Sequence, residues 1–376
     1  MFQTQTIFRL LVMFSAKAWP TKYRLTIIHS QQIKMKYTVL FLLLFSLEFL
    51  YSQSLRAKVV DEKNKPLVNA TVYFDGTTRG VVTDLDGYFN LEVPSGLSNP
   101  VLVITYLGYT SLSIKNFNRL KPVYQLKPKP ENLKNVNVYA SLFTRKQMER
   151  VFVRYFLGEG KAARQCKILN LDDVILYYVG EENTLYAESF NPVKVENNYL
   201  GYNLEFDLED FEVKYRRKTL SDNFLKETYY AGTTYFKETN TNKKINRQEV
   251  YKRSLRNFFK HLADSTLYQT DFTLSYKSFI RNPHEVFEVV KPLDPSVNVM
   301  RIALKPDYIM LVDGKFVNTK VMLSNNGQRT TLMIKKPYFK VDRAGNLIDI
   351  KDVVLSGALA DYRVAKMLPL NYRHSE

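Results

Sequence analysis

The sequence predicts a mostly β chain, with an N-terminal β-sandwich followed by an α+β region rich in antiparallel sheet. Tyr and Phe number 26 and 24 against a single Trp, and such rings favour strands. From Leu55 to Leu126 short apolar runs alternate with turn residues at regular intervals, the pattern of a sandwich. Beyond residue 141, two stretches with helical spacing stand among many strand-like runs, which points to α+β.

At 376 residues the chain has room for two or three domains. A hydrophobic content of 45% excludes a disordered chain. Met35 and Lys36 precede the apolar run Tyr37 to Tyr51, and Ser52 and Gln53 follow. A basic start, a short apolar stretch and a small exit residue make residues 35–52 a signal peptide. Glu48 and the shortness of the run disfavour a permanent span, which needs about 20 apolar residues. Residues 1–34 carry no pattern of their own and read as a spurious upstream extension from a wrongly chosen start codon.

The formal charge is +17 and stays strongly positive once residues 1–52 are removed. In a cell envelope this suits adhesion to anionic lipid or polysaccharide, so peripheral membrane association is compatible with the sequence. Cys166 is the single cysteine, which rules out an intramolecular disulfide and leaves no cysteine at the cleavage site for a lipid anchor.

The sandwich is placed over residues 53–126. Its expected strands are Leu55 to Val60, Thr71 to Phe74, Gly80 to Thr83, Tyr88 to Val93, Val101 to Tyr106 and Thr110 to Lys115. Pro66, Gly76, Gly87, Pro94, Gly96 and Gly108 punctuate them, and Asp86-Gly87 predicts a tight hairpin. Asp84-Leu85-Asp86-Gly87 is no calcium loop, because the twelfth position is Ser95 instead of Glu.

Val59-Val60-Asp61, Pro66-Leu67-Val68-Asn69-Ala70-Thr71-Val72, Gly76-Thr77-Thr78, Thr83-Asp84, Asp86-Gly87-Tyr88-Phe89-Asn90-Leu91 and Tyr106-Leu107-Gly108-Tyr109 follow in order. In these residues the segment resembles the carboxypeptidase regulatory-like domain, although Arg56-Ala57 replaces the glycine that usually opens its first strand. The resemblance implies an immunoglobulin-related, transthyretin-like sandwich serving as an accessory to peptidases, to TonB-dependent outer-membrane receptors or to other bacterial envelope proteins. It also implies a location in the periplasm or at the outer-membrane surface.

Residues 127–140 read as a linker with an added strand. Lys127-Pro128-Lys129-Pro130-Glu131 is a stiff spacer, and Leu133 to Tyr139 alternates like a strand. A receptor barrel of about 22 strands of about 10 residues would not fit in the chain that remains. Residues 141–376 form the α+β region. Helices are expected over Leu142 to Leu157 and Arg247 to Leu262. Strands are expected at Val174 to Val179, Leu185 to Ser189, Leu200 to Val213, Val299 to Leu304, Tyr308 to Val312, Thr331 to Ile334 and Tyr338 to Val341. Asn325-Asn326-Gly327 and Ala344-Gly345-Asn346 are the expected hairpin turns. Phe156-Leu157-Gly158 and Leu368-Pro369-Leu370-Asn371-Tyr372, among other pieces, are similar to a C-terminal region that recurs in exported regulatory-domain proteins.

No catalytic spacing stands out. The zinc carboxypeptidase ligand pattern is missing, and no Gly-x-Ser-x-Gly elbow occurs. Gly158 to Ala163 echoes a dinucleotide loop but follows a helix, so it reads as a helix end. Asp172-Asp173 and Glu181-Glu182 read as solvated turns, and His261 as part of a basic helix surface. No cofactor or metal is expected.

The more suggestive residues are basic. Lys214, Arg216, Arg217 and Lys218 surround Tyr215, while Lys252, Arg253, Arg256 and Lys260 accompany Arg247 on the second helix. Either set suits phosphate or carboxylate groups on an envelope protein or anionic glycan. No recognised nucleic-acid reader accompanies them, so nucleic acid is not the expected partner. The expectation is a non-catalytic envelope protein, with the sandwich docking and the C-terminal region binding. The alternatives are a hydrolase with an unrecognised active site in the C-terminal region, or an accessory to TonB-dependent uptake.

Overall fold

The computed structural model describes residues 54–94, 97, 100–115, 121–129, 142–294 and 299–374. The expected leader over residues 1–52 and the added strand Leu133 to Tyr139 lie outside them. The chain is mostly β, and its sheets are built almost wholly from antiparallel pairs.

In the sandwich, Ser54–Val60 pairs antiparallel with Tyr88–Glu92 and parallel with Val123–Gln125. The facing sheet has the order Gly80–Val82, Thr71–Phe74, Leu102–Thr105, Leu112–Ile114. Alternation sends Leu55, Ala57 and Val59 inward against Val72, Phe74, Leu102 and Ile104. Asp84 Oδ1 accepts the amides of Asp86 and Tyr88 at 3.0 and 2.8 Å, closing a tight turn. That turn is not the expected hairpin, because the strands it joins belong to opposite sheets. Gly87 takes φ +80°, and a Cβ there would fall 2.6 Å from Val59 O.

The single α+β region expected beyond residue 141 contains two hydrophobic cores. The first lies under the helix Arg145–Leu157, which starts three residues later than Leu142. Thr144 fixes that start: its hydroxyl accepts from Gln147 N, and the Gln147 side chain accepts from Thr144 N at 2.8 Å. Phe152 and Phe156 of the helix pack edge-on against Phe211 and Phe206. These two belong to Tyr202–Tyr215, the centre of a six-stranded sheet. Along one side of that strand Val193–Asn197 and Thr184–Ser189 lie end to end, and along the other runs Leu225–Glu238.

The second core sits between a five-stranded sheet, a three-stranded sheet and the helix Leu255–Ala263. The helix expected from Arg247 to Leu262 is two helices, Lys244–Lys252 and Leu255–Ala263. Ser254 makes the break by accepting from Asn257 N and starting a new helix. Asn326 and Gly327, at φ 49° and 77°, form the expected hairpin turn between Thr319–Asn325 and Gln328–Ile334.

The sandwich is sewn to the first core. Gly76 N donates to Thr234 O at 2.7 Å and Phe236 N to Thr77 O at 3.0 Å, which places Thr77 in a bridge beside Tyr235. Leu370 N donates to Gly76 O at 2.7 Å, so the C-terminal tail joins the same seam. The described part of the expected spacer is pinned as well. Lys129 N donates to Gly108 O, and its ammonium reaches Ser189 O and Phe190 O at 3.2 and 2.9 Å.

Candidate anionic-ligand site

A cleft of about 430 Å³ opens between the helix Arg145–Leu157 and the loop after Tyr215. Gln147, Arg150 and Arg154 line one wall, because residues three to four apart share a helix face. Thr219, Ser221 and Asp222 line the other. The helix presents this polar stripe outward while its apolar stripe, through Met148, Phe152 and Phe156, holds the core.

Asp222 organises the cleft. It accepts from Arg154 Nη1 and from the Tyr155 hydroxyl, the latter at 2.5 Å. Burial pulls the Arg154 guanidinium down, but the Asp222 and Glu159 carboxylates outweigh it and hold its pKa above the ordinary value. Burial and the bond to Asp222 push the Tyr155 hydroxyl well above the ordinary tyrosine range. The one carboxylate in the cleft wall is thus engaged by two donors, and the phenol keeps its proton. Asp222 and Glu159 together neutralise Arg154, so the guanidinium of this wall left to meet an anion is that of Arg150.

The first basic run leads into this wall. Arg216, Arg217 and Lys218 are exposed immediately before Thr219, and Lys214 is half-buried on the sheet. Arg217 sets its guanidinium carbon 3.4 Å from the Phe224 ring centre, a cation–π contact that anchors it beside this wall. The second run falls on other elements. Lys252 and Arg253 are exposed at the helix break, and Lys260 lies 3.7 Å from Asp264.

Arg256 has to be removed from the candidate set. Its guanidinium donates to Ala344 O, Pro369 O and Tyr372 O at 3.2, 2.9 and 2.6 Å, so backbone carbonyls occupy its donors. Arg247 is likewise spent, on Leu200 O at 2.7 Å, Gly201 O, Asn240 O and Glu238. Sequence reasoning missed Gln147, Arg150 and Arg154. Their three-and-four spacing opposite the apolar stripe was the available signal.

The other chemistry-bearing groups lie elsewhere. Cys166 Sγ donates to Ala162 O at 3.3 Å, and burial pushes its thiol up to about 12. His261 Nδ1 pairs with Thr266 Oγ1 at 2.8 Å. Asp172 and Asp173 are exposed on a turn, and Glu182 accepts from the Tyr186 hydroxyl. Among the described residues no three His, Cys, Asp or Glu side chains gather as a metal site. No helix among them is long and apolar enough to cross a membrane.

No curated protein matches the chain. The model of the CarboxypepD_reg-like domain family matches residues 55–138. That match covers the two facing sheets of the sandwich, so the chain carries a CarboxypepD_reg-like domain in its N-terminal part.

Proposed function

We propose that the chain is an exported, non-catalytic protein of the cell envelope that binds an anionic glycan in the cleft beside Arg150. The observation that carries this reading is the pairing of guanidinium, amide and hydroxyl donors across one opening of about 430 Å³. Arg216, Arg217 and Lys218 extend the positive surface at its mouth. Guanidinium groups suit sulfate, phosphate or carboxylate groups along a polymer.

The sandwich braces the binding region through the Thr77 seam, and its Ser54–Val60 strand lies in the other sheet. There Arg56 and Lys58 lie over the Tyr88 ring, a surface suited to docking. Export rests on the pattern over residues 35–52.

The test is retention of the chain on dextran sulfate beads against neutral dextran. Retention should be lost with salt and weakened by Arg150→Glu and Arg217→Glu. Equal retention of these variants would overturn the glycan reading. Turnover of a polysaccharide that a cleft substitution abolishes would replace it with a hydrolase.

A further inference from the structure

Two short hairpins leave the same end of the five-stranded sheet. One joins Phe272–Tyr276 to Phe279–Arg281 through Lys277 and Ser278. The other joins Met310–Val312 to Lys315–Val317 through Asp313 and Gly314, and runs directly into Thr319–Asn325. Because Ser275 pairs with Met322 in antiparallel register, the start of Thr319–Asn325 lies level with the Lys277-Ser278 turn. Tyr276 and Tyr308 meet edge to face 4.8 Å apart and tie the two bases together.

Five apolar residues of these hairpins are bare, while Phe272 and Leu274 are buried and Phe316 packs against the second core. Met310, Leu311 and Val312 are 54%, 59% and 55% exposed, and Phe279 and Ile280 are 65% and 73% exposed. Successive strand residues point to opposite faces, so the exposure of Met310, Leu311 and Val312 leaves apolar atoms bare on both faces of that strand, although Phe316 opposite Leu311 packs inward. A flat protein partner covers one face, whereas the apolar margin of a bilayer surrounds both. Exposed apolar clusters of this kind mark interaction surfaces.

The charge around them selects the occupant. Lys277, Arg281, Lys315 and Lys320 flank the apolar residues along the chain, against Asp307 and Asp313. Apolar side chains bordered by lysines are the composition of interfacial anchors, which enter about 5–10 Å and prefer anionic lipid.

We propose that these two hairpins form a docking surface for an anionic lipid bilayer, separate from the basic cleft. Sedimentation of the full chain with phosphatidylcholine–phosphatidylglycerol vesicles tests it, with pure phosphatidylcholine vesicles for comparison. Leu311→Asp combined with Phe279→Asp should weaken binding to the anionic vesicles about tenfold or more, with the circular dichroism spectrum unchanged. Lys277→Glu combined with Lys315→Glu should weaken the same binding and reduce its salt dependence. Binding of both variants equal to the parent would overturn the proposal and assign adhesion to another part of the chain. Self-association abolished by Leu311→Asp, without vesicle binding, would overturn it in favour of a second copy.

Discussion

The rings of Tyr73 and Tyr235 stack 5.1 Å apart at 22°, and the Tyr73 hydroxyl shares a hydrogen bond with Thr233 Oγ1 at 2.9 Å. Tyr73 stands on the outer face of the sandwich, and Tyr235 belongs to the edge strand Leu225–Glu238. Gly80 makes room for this contact, since a Cβ there would stand 2.6 Å from the Tyr235 ring. The contact joins the CarboxypepD_reg-like sandwich to the domain that holds the cleft.

Tyr235→Ala should therefore uncouple the two. The loss of a packed ring costs about 3–5 kcal/mol, and the stacked pair adds about 0.5–1.5 kcal/mol of coupling. A double-mutant cycle with Tyr73→Ala in urea measures that coupling. The parent should melt in one calorimetric transition and the Tyr235 variant in two. A single unshifted transition in the variant would show that the seam carries little.

Asp75 gives the same seam a pH dependence. Its Oδ1 accepts from Thr234 N at 2.7 Å, yet burial outweighs this bond and pushes its pKa from 3.8 to about 6. With the folded value above the unfolded one, the unfolded state ionises first as pH rises. Stability from this group is complete below about pH 4 and is lost as pH climbs through 6. Asp75→Asn should remove that slope, read as the difference in urea midpoint between the two proteins at pH 4, 5, 6 and 7. A constant difference across the series would count against it.

Local punctuation made the sandwich legible. Pro66, Gly87 and the Asp84 turn mark strand ends within a few residues of each strand, and Asn326-Gly327 does the same farther on. Val123–Gln125 gave no such signal, because it joins Ser54–Val60 in parallel from far along the chain. Leu225–Glu238 was obscured by Lys226, Glu227, Lys237 and Glu238 at its ends and by Gly232 within it. The stripe through Tyr251, Leu255, Phe258 and Leu262 ran unbroken across Ser254, so two helices looked like one. In the candidate site, the run ending at Lys218 was visible as charge. Its partners on the first helix were not, since the loop and helix meet only through the fold. Arg256 looked like surface charge because the carbonyls that bury it come from residues 344, 369 and 372.

Arg256→Lys should consequently destabilise the protein. An ammonium cannot reproduce a planar fork aimed at three carbonyls, and each buried acceptor left unpaired costs about 1–3 kcal/mol. A loss of about 2–4 kcal/mol is expected, together with faster proteolysis of the tail around Leu370, which shares the seam with Gly76. Retained stability and an uncut tail would mean that water replaces the guanidinium without cost.

Gly232 tests the centre of the long sheet. A Cβ on it would lie 2.1 Å from Asp207 O and 2.7 Å from the Phe206 ring. Neither neighbour is free to retreat. Asp207 pairs with Thr233 beside the register shift between Leu208 and Asp210, and its carboxylate accepts from Ser111 of the sandwich at 2.5 Å. Phe206 is buried against Phe156. Gly232→Ala should thus cost about 1–3 kcal/mol through overpacking, whereas Ala231→Gly, one residue earlier, should cost about 0.5–1 kcal/mol from backbone entropy. Urea midpoints of the two variants give the comparison. A Gly232 variant as stable as the parent would show that the strand shifts to accept the methyl group and that the irregularity at Leu208 is soft.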